Sequence, residues 1–448
     1  DFFRFRALPS ATISPVFFHQ LAKVALHAMV AALLLQAPAH ADTTWTNAGI
    51  VKDFWDFADN WSAGIPDAAD DVTFPSPVPG TGTITLLNPA SANSLAIDTG
   101  GYQLTGGTLT LASGNVSVSS GNSGVATPLL GSNGLTKTGF GVLNLRGANS
   151  YVGDTSVLEG ALDLTSGSER LPSTTNVSVA SLAQLRFFFG AATETIGSLA
   201  GSGDVVFANT DPGGTDLRVG ANSTNSTFSG DIFDGFGGIG KLTKIGTGTL
   251  TLTGSNSYLG GTVVSDGTLQ VTSSSLPAVG NAVNNSFLTF NQSFDGTYLG
   301  NISGTGVVTK GGSGLLSLTG TNTYTGNTIL SEGTLSISSN DNLGAASAPV
   351  IFDGGTLELP FTDQSLPASR SLQIASGADA RLQLLAINTE PHGGISGPGG
   401  LIVTGTGSTN RLHLLTTAST YTGSTTVTDA NLVISDSNEM IPDQSTLI

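Results

Sequence analysis

Residues 242–271 read LTKIGTGTLTLTGSNSYLGGTVVSDGTLQV. Leu250 and Leu252, then Leu269 and Val271, are apolar residues spaced two apart. That spacing puts each pair on one face of a short strand. Six glycines interrupt the stretch, although glycine weakens an ordinary strand. Glycine does, however, permit the positive φ of tight turns, and Asn and Ser favour turns too. The stretch therefore reads as very short strands joined by frequent corners, with Thr and Ser on the outer faces.

The same sentence recurs. Aligned on Tyr151, Tyr258, Tyr324 and Tyr421, glycine stands two residues on, at Gly153, Gly260, Gly326 and Gly423. Threonine stands four on (Thr155, Thr262, Thr328, Thr425), and leucine eleven on (Leu162, Leu269, Leu335, Leu432). Upstream, L-x-L pairs sit at Leu143/Leu145, Leu250/Leu252 and Leu316/Leu318. In the fourth copy the pair, Leu412/Leu414, is displaced by one residue, and Thr417 replaces the glycine found at Gly147, Gly254 and Gly320. No such unit can enclose a core alone, so the units must stack strand upon strand. The spacing between tyrosines is irregular, so worn coils fill the gaps, for example at 106–113, 177–190 and 354–360.

The rest of the composition agrees. The chain has 448 residues, no Cys and only 10% charged residues, against roughly 25% in ordinary soluble domains. No disulfide or thiolate metal site can form. A net charge of −17 disfavours nucleic acid and anionic membranes as partners. Residues 1–41 stand apart. Arg4, Arg6 and Lys23 precede the apolar run 24–36, and Ala39 and Ala41 fit a small-x-small cleavage site. We read this as a secretory signal, with Asp42 the first mature residue. His19, His27 and His40 leave with it, so only His392 and His413 remain for histidine chemistry.

The stretch GLTKTGFGVLNLRGANSYVGDTSVLEGALDL (134–164) and its copies resemble the autotransporter-associated β-strand repeat, also called the passenger-associated transport repeat. The stretch 42–74 is similar to the segment that precedes such repeats in large exported bacterial proteins. The resemblance implies a right-handed parallel β-helix in a secreted or surface-displayed passenger. It also implies an outer-membrane translocation machinery, or a C-terminal barrel beyond the last residue, as the export partner. The expected organisation is a signal peptide at 1–41, a cap and first coils at 42–100, and a repeat region at 101–448 that is cut short within a repeat. Trp45, Trp55 and Trp61, with Phe54, Phe57 and Phe74, are expected to cap the first open coil, since solenoid ends need cover. The alternative for them is an aromatic sugar-binding patch.

Charges recur at fixed offsets too. An acid follows each tyrosine by eight (Glu159, Asp266, Glu332, Asp429), and Lys137, Lys244 and Lys310 precede it by fourteen in three copies. The 22-residue offset from lysine to acid is about one coil. It predicts surface ion pairs between neighbouring coils, worth about 0–1 kcal/mol each. The alternative is that the acid simply favours the turn before Gly160, Gly267 and Gly333.

Catalytic chemistry on a β-helix needs acids and a base gathered from successive coils. The nearest candidates are Asp216 and Arg218, with Asp231 and Asp234. Asp67, Asp70 and Asp71 offer three hard oxygen ligands for calcium, without the glycine-punctuated spacing of a calcium loop. No nucleotide-binding loop is present, and no cofactor is expected. The function expected is a non-catalytic stalk or adhesin-like passenger that meets glycans or host and environmental surfaces. The rivals are a carbohydrate-active lyase or hydrolase and a purely structural envelope component.

Overall fold

The computed structural model describes residues 42–434, apart from 79, 189–191, 209–212, 236, 361–363, 368, 386–388, 392–393, 408–409 and 415–418. The expected signal, residues 1–41, lies outside the described residues. So does His392.

The chain winds as an all-β parallel solenoid of about 16 turns. At about 4.8 Å per turn, that is a rod of roughly 75 Å. One 18-stranded sheet runs its length, and sheets of 8, 6, 7 and 4 strands succeed one another along the remaining walls, with a 3-stranded patch near the start. Every pairing between these strands is parallel, and the strands are two to five residues long. Each thirty-residue motif makes two coils. In the first copy Leu135–Thr138 lies under Thr155–Val157, and Val142–Leu145 under Ala161–Leu164. The leucine pairs therefore stack on each other: Leu143 on Leu162, Leu145 on Leu164, Leu316 on Leu335 and Leu318 on Ile337. All are buried in one continuous apolar core.

Burial forces the interior polar groups to find partners. Tyr151, Tyr258, Tyr324 and Tyr421 are buried, and each hydroxyl lies 2.6 Å from the hydroxyl of the threonine four residues on. The asparagine two before the tyrosine bridges three coils. Asn256 Oδ1 accepts from Ile232 N at 2.8 Å, and its Nδ2 donates to Ser275 O at 2.6 Å. Asn149 and Asn322 repeat this pattern. In the fourth copy Ser419 takes the place of the asparagine and accepts from Ile395 N at 3.3 Å.

The lysines differ from expectation. They do lie one coil from their acids, but they are not on the surface. Lys137, Lys244 and Lys310 are buried, because each sits two residues after an inward Leu135, Leu242 or Val308 and so shares its face. Among the described residues no carboxylate comes within ion-pair distance of these ammonium groups. Each Nζ instead donates to three backbone carbonyls: in the first copy to Thr138 O at 2.8 Å, Gly139 O at 2.7 Å and Glu159 O at 3.1 Å. The other two copies repeat this cage. An ammonium has three donors, and all three are used. Burial pulls the Lys137 ammonium down to about 8, against the pull of the Glu159 charge in the other direction. In the first copy the acid reaches the neighbouring coil, where Glu159 accepts from Gly139 N at 2.9 Å, and in the second it serves its own turn, where Asp266 accepts from Gly267 N at 2.8 Å. Ion pairs that do bridge coils lie elsewhere: for example, Arg186 Nε meets Asp163 Oδ1 at 2.6 Å across paired strands.

The turn glycine after each acid has a single geometry: Gly160, Gly267 and Gly333 all have φ +63°. A methyl on Gly267 would also press on the carbonyl oxygens of Gly246 and Gly248, one coil below. Gly267→Ala is expected to cost at least about 2 kcal/mol in denaturant unfolding. Gly311→Ala, where a Cβ meets nothing closer than 3.8 Å, should stay near wild type. In the same assay Lys137→Met should cost about 2 kcal/mol, because it strands three carbonyls. An unchanged midpoint would refute the cage.

Candidate functional site

The groups singled out in the sequence fall in three places. Asp216 and Arg218 lie on the strand Thr215–Val219 and, two apart, share its outer face. Arg218 Nε meets Asp216 Oδ2 at 3.0 Å. The next coil pairs Lys241 with Asp216, and Lys241 Nζ reaches the same oxygen at 3.1 Å. Thr243 Oγ1 donates to Asp216 Oδ1 at 2.6 Å. One carboxylate is thus shared by two cations, both partly exposed. They open into a groove of about 430 Å³ lined also by Ala192, Thr193, Gly214 and Ile239.

Asp231 and Asp234 do not line this groove. Asp231 Oδ1 accepts from Ser255 N at 2.7 Å. Asp234 accepts from Gly240 N at 2.7 Å and Leu259 N at 2.8 Å. Burial raises the Asp234 carboxyl, and the two amides pull it back down. Both acids tie turns of neighbouring coils together. Asp67 and Asp70 share one turn, where Asp70 Oδ2 accepts from Asp67 N at 2.9 Å. Asp71 turns away to accept from Asn93 and Ser94 of the next coil. No metal-sized group of His, Asp or Glu occurs among the described residues.

The three tryptophans and Phe74 are inside the molecule, whereas Phe54 is half-buried and Phe57 is exposed. Trp45, Trp55 and Trp61 are buried edge-to-face, with centroids 4.9 Å and 4.7 Å apart, and Phe74 and Tyr102 continue the stack inward. Their faces are covered by one another, so they do not form a sugar-stacking surface. The most exposed apolar groups in this segment, Ile50 and Ile65, are not aromatic, and others are aligned along the rod. Ile239, Leu259, Val279 and Leu299 are exposed at 20-residue steps, the coil offset along that wall, and form a four-rung aliphatic ladder that starts at the groove. Phe140 and Leu182, 82% and 96% exposed, flank Leu158 at a corner of three successive coils. Leu182 holds φ +69°, a costly conformation for a leucine.

Beside the groove, but facing inward, is Glu194. Strand alternation sends Thr193 to the groove and Glu194 to the interior, where its oxygens accept from Arg170 N at 2.8 Å and Leu171 N at 2.6 Å. Burial pushes this carboxyl up to about 8, against those two amides. A perturbed acid often marks a reaction centre, but this one is spent on coil closure.

Taken together, the stacked tyrosine–threonine repeats define the class. Residues 135–164, 242–271 and 308–337 match the passenger-associated-transport-repeat family. The chain is a parallel β-solenoid built on these repeats, in the manner of an autotransporter passenger. The fourth copy, around Tyr421, lies outside the matched segments. The chain is also similar to the Adhesin BmaC autotransporter of Brucella suis biovar 1 (strain 1330), 33% identical over 481 aligned positions. The match covers 85% of this chain and 14% of that protein's length. No solved structure matches the chain.

Glu194 makes stability depend on pH. The folded carboxyl keeps its proton to about pH 8, whereas the unfolded one releases it near 4.5. Between those values the folded state binds more protons, so this group's contribution is full below about pH 4.5 and is lost as pH rises to about 8. Glu194→Gln should flatten that decline in thermal melts from pH 4.5 to 8. A variant whose melting temperature tracks wild type across the window would contradict it.

Proposed function

We propose that this protein is an exported, surface-displayed or secreted passenger with a non-catalytic, adhesin-like role. The observation that carries the reading is the passenger repeat solenoid aligned over 85% of the chain with an autotransporter adhesin. Two features support attachment over simple spacing. Phe140 stands where the other repeats have Thr247 and Ser313, and Leu158 where they have Ser265 and Ser331. Exposed apolar groups in place of polar ones lend themselves to contact with another surface. The carboxylates at 216, 231 and 234 do not converge around one reacting point, as acid–base hydrolysis needs.

The test is to produce the whole chain, with residues 1–41, in a bacterial host with an outer membrane. The expected product begins at Asp42 and is reached by antibody on intact cells or recovered from the medium. Beads coated with it should be retained saturably on cell surfaces and release no reducing ends from polysaccharides. Retention inside the cell with residues 1–41 attached, or uncoated beads binding equally well, would overturn the reading. Released reducing ends would move the assignment to a carbohydrate-active enzyme.

A further inference from the structure

We propose that the groove at Asp216, Arg218 and Lys241 binds an acidic saccharide, a pyranose that carries a single carboxylate. The inference deepens the adhesin reading and takes its biological meaning from it, but the binding itself is a property of the groove.

Charge comes first. Arg218 and Lys241 both spend their pairing on the same oxygen of Asp216. Two cations thus face one carboxylate in the groove, with Glu169 held on Thr195 one coil from Arg218, and the Arg218 terminal nitrogens have no other partner among the described residues. A guanidinium with free donors suits a planar carboxylate. The chain carries −17, but charges beyond about 8 Å are screened at physiological salt, so the local excess governs what docks.

Shape comes second. The groove holds about 430 Å³, far more than an inorganic anion fills. Its floor at Gly214 and Gly260 must stay bare, because a Cβ on Gly214 would lie 2.5 Å from Ile239 O and one on Gly260 2.5 Å from Gly240 O. Ala192 and Ile239 supply an aliphatic wall for the C–H face of a sugar ring, and the Thr193 side chain is a hydroxyl partner for its hydroxyls. The cluster joins three coils, since Thr193 pairs with Asp216 and Asp216 with Lys241. Only a stacked solenoid brings these residues together.

The test is calorimetric titration of the purified full chain with a disaccharide bearing one glucuronate, beside its neutral methyl ester and inorganic phosphate. The acidic disaccharide should bind saturably, and the ester at least about tenfold more weakly. Phosphate should not displace the sugar at equal concentration. Arg218→Ala and Lys241→Ala should each weaken binding about tenfold with an unchanged melting temperature. Asp216→Asn should strengthen it, because the internal competitor for both cations is removed. Equal binding of acid and ester, displacement by phosphate, no effect of the alanine variants, or loss on Asp216→Asn would each overturn the proposal. If the titration fails while coated beads still adhere, the groove is wrong and the adhesin reading stands. Binding of the sugar without bead retention is the converse.

Discussion

Every strand described here finds its hydrogen-bond partners in another turn of the chain, 19 to 29 residues away. No strand pairs within its own turn, so the inter-coil ladder is the interaction on which the rest depends. It sets the rise, and the rise brings backbones close at the corners. That closeness explains the glycines better than chain reversal alone. Of the four glycines two after the tyrosine, only Gly153 has positive φ. At Gly260, Gly326 and Gly423 the requirement is room, because a Cβ would run into the backbone of the coil below.

The ladder also decides where polar groups are allowed inside. A tyrosine hydroxyl can sit in the core because it meets the threonine hydroxyl four residues on, and an asparagine amide and a lysine ammonium because the corners of neighbouring coils offer carbonyls and amides at fixed positions. The asparagines and lysines hold register: a slip by one residue between coils would strand both at once. The tryptophan cluster follows another rule. Trp61 donates its indole N–H to Trp55 O at 2.8 Å, whereas those of Trp45 and Trp55 are buried without a partner among the described residues. This end is held by aromatic packing and by one buried asparagine: Asn60 Nδ2 donates to Val51 O and Phe54 O, and its Oδ1 accepts from Gly49 N.

Much of the architecture was legible in the sequence. The leucine pairs and the residues eleven and thirteen after tyrosine do stack on one another, because period-two alternation survives even in four-residue strands. The lysines lie one coil from their acids, as the 22-residue offset predicts, but inside and not on the surface. Their parity with Leu135, Leu242 and Val308 points inward, and the carbonyl cage lets parity prevail over charge. The bridging asparagines carried a signal as well, since Asn149, Asn256 and Asn322 stand at one position of the repeat. The groove was half legible. Asp216 and Arg218 are neighbours in sequence, but Lys241 arrives from a coil of 25 residues, longer than the 20 of the coils that follow. Irregular coil length hides such partners. The ladder from Ile239 to Leu299 was invisible for a different reason: its members are lone apolar residues in turns, aligned only once the register is known.

The caged lysines have a consequence for survival outside a cell. Proteases of the trypsin type must draw a Lys or Arg side chain into a deep pocket and straighten the backbone around it. This chain has only 15 such residues, and Lys137, Lys244, Lys310 and Arg370 are sealed in the core. Cleavage there would first require a coil to open, which breaks its ladder on both sides. The same placement that locks the turns in register thus removes scissile sites from reach.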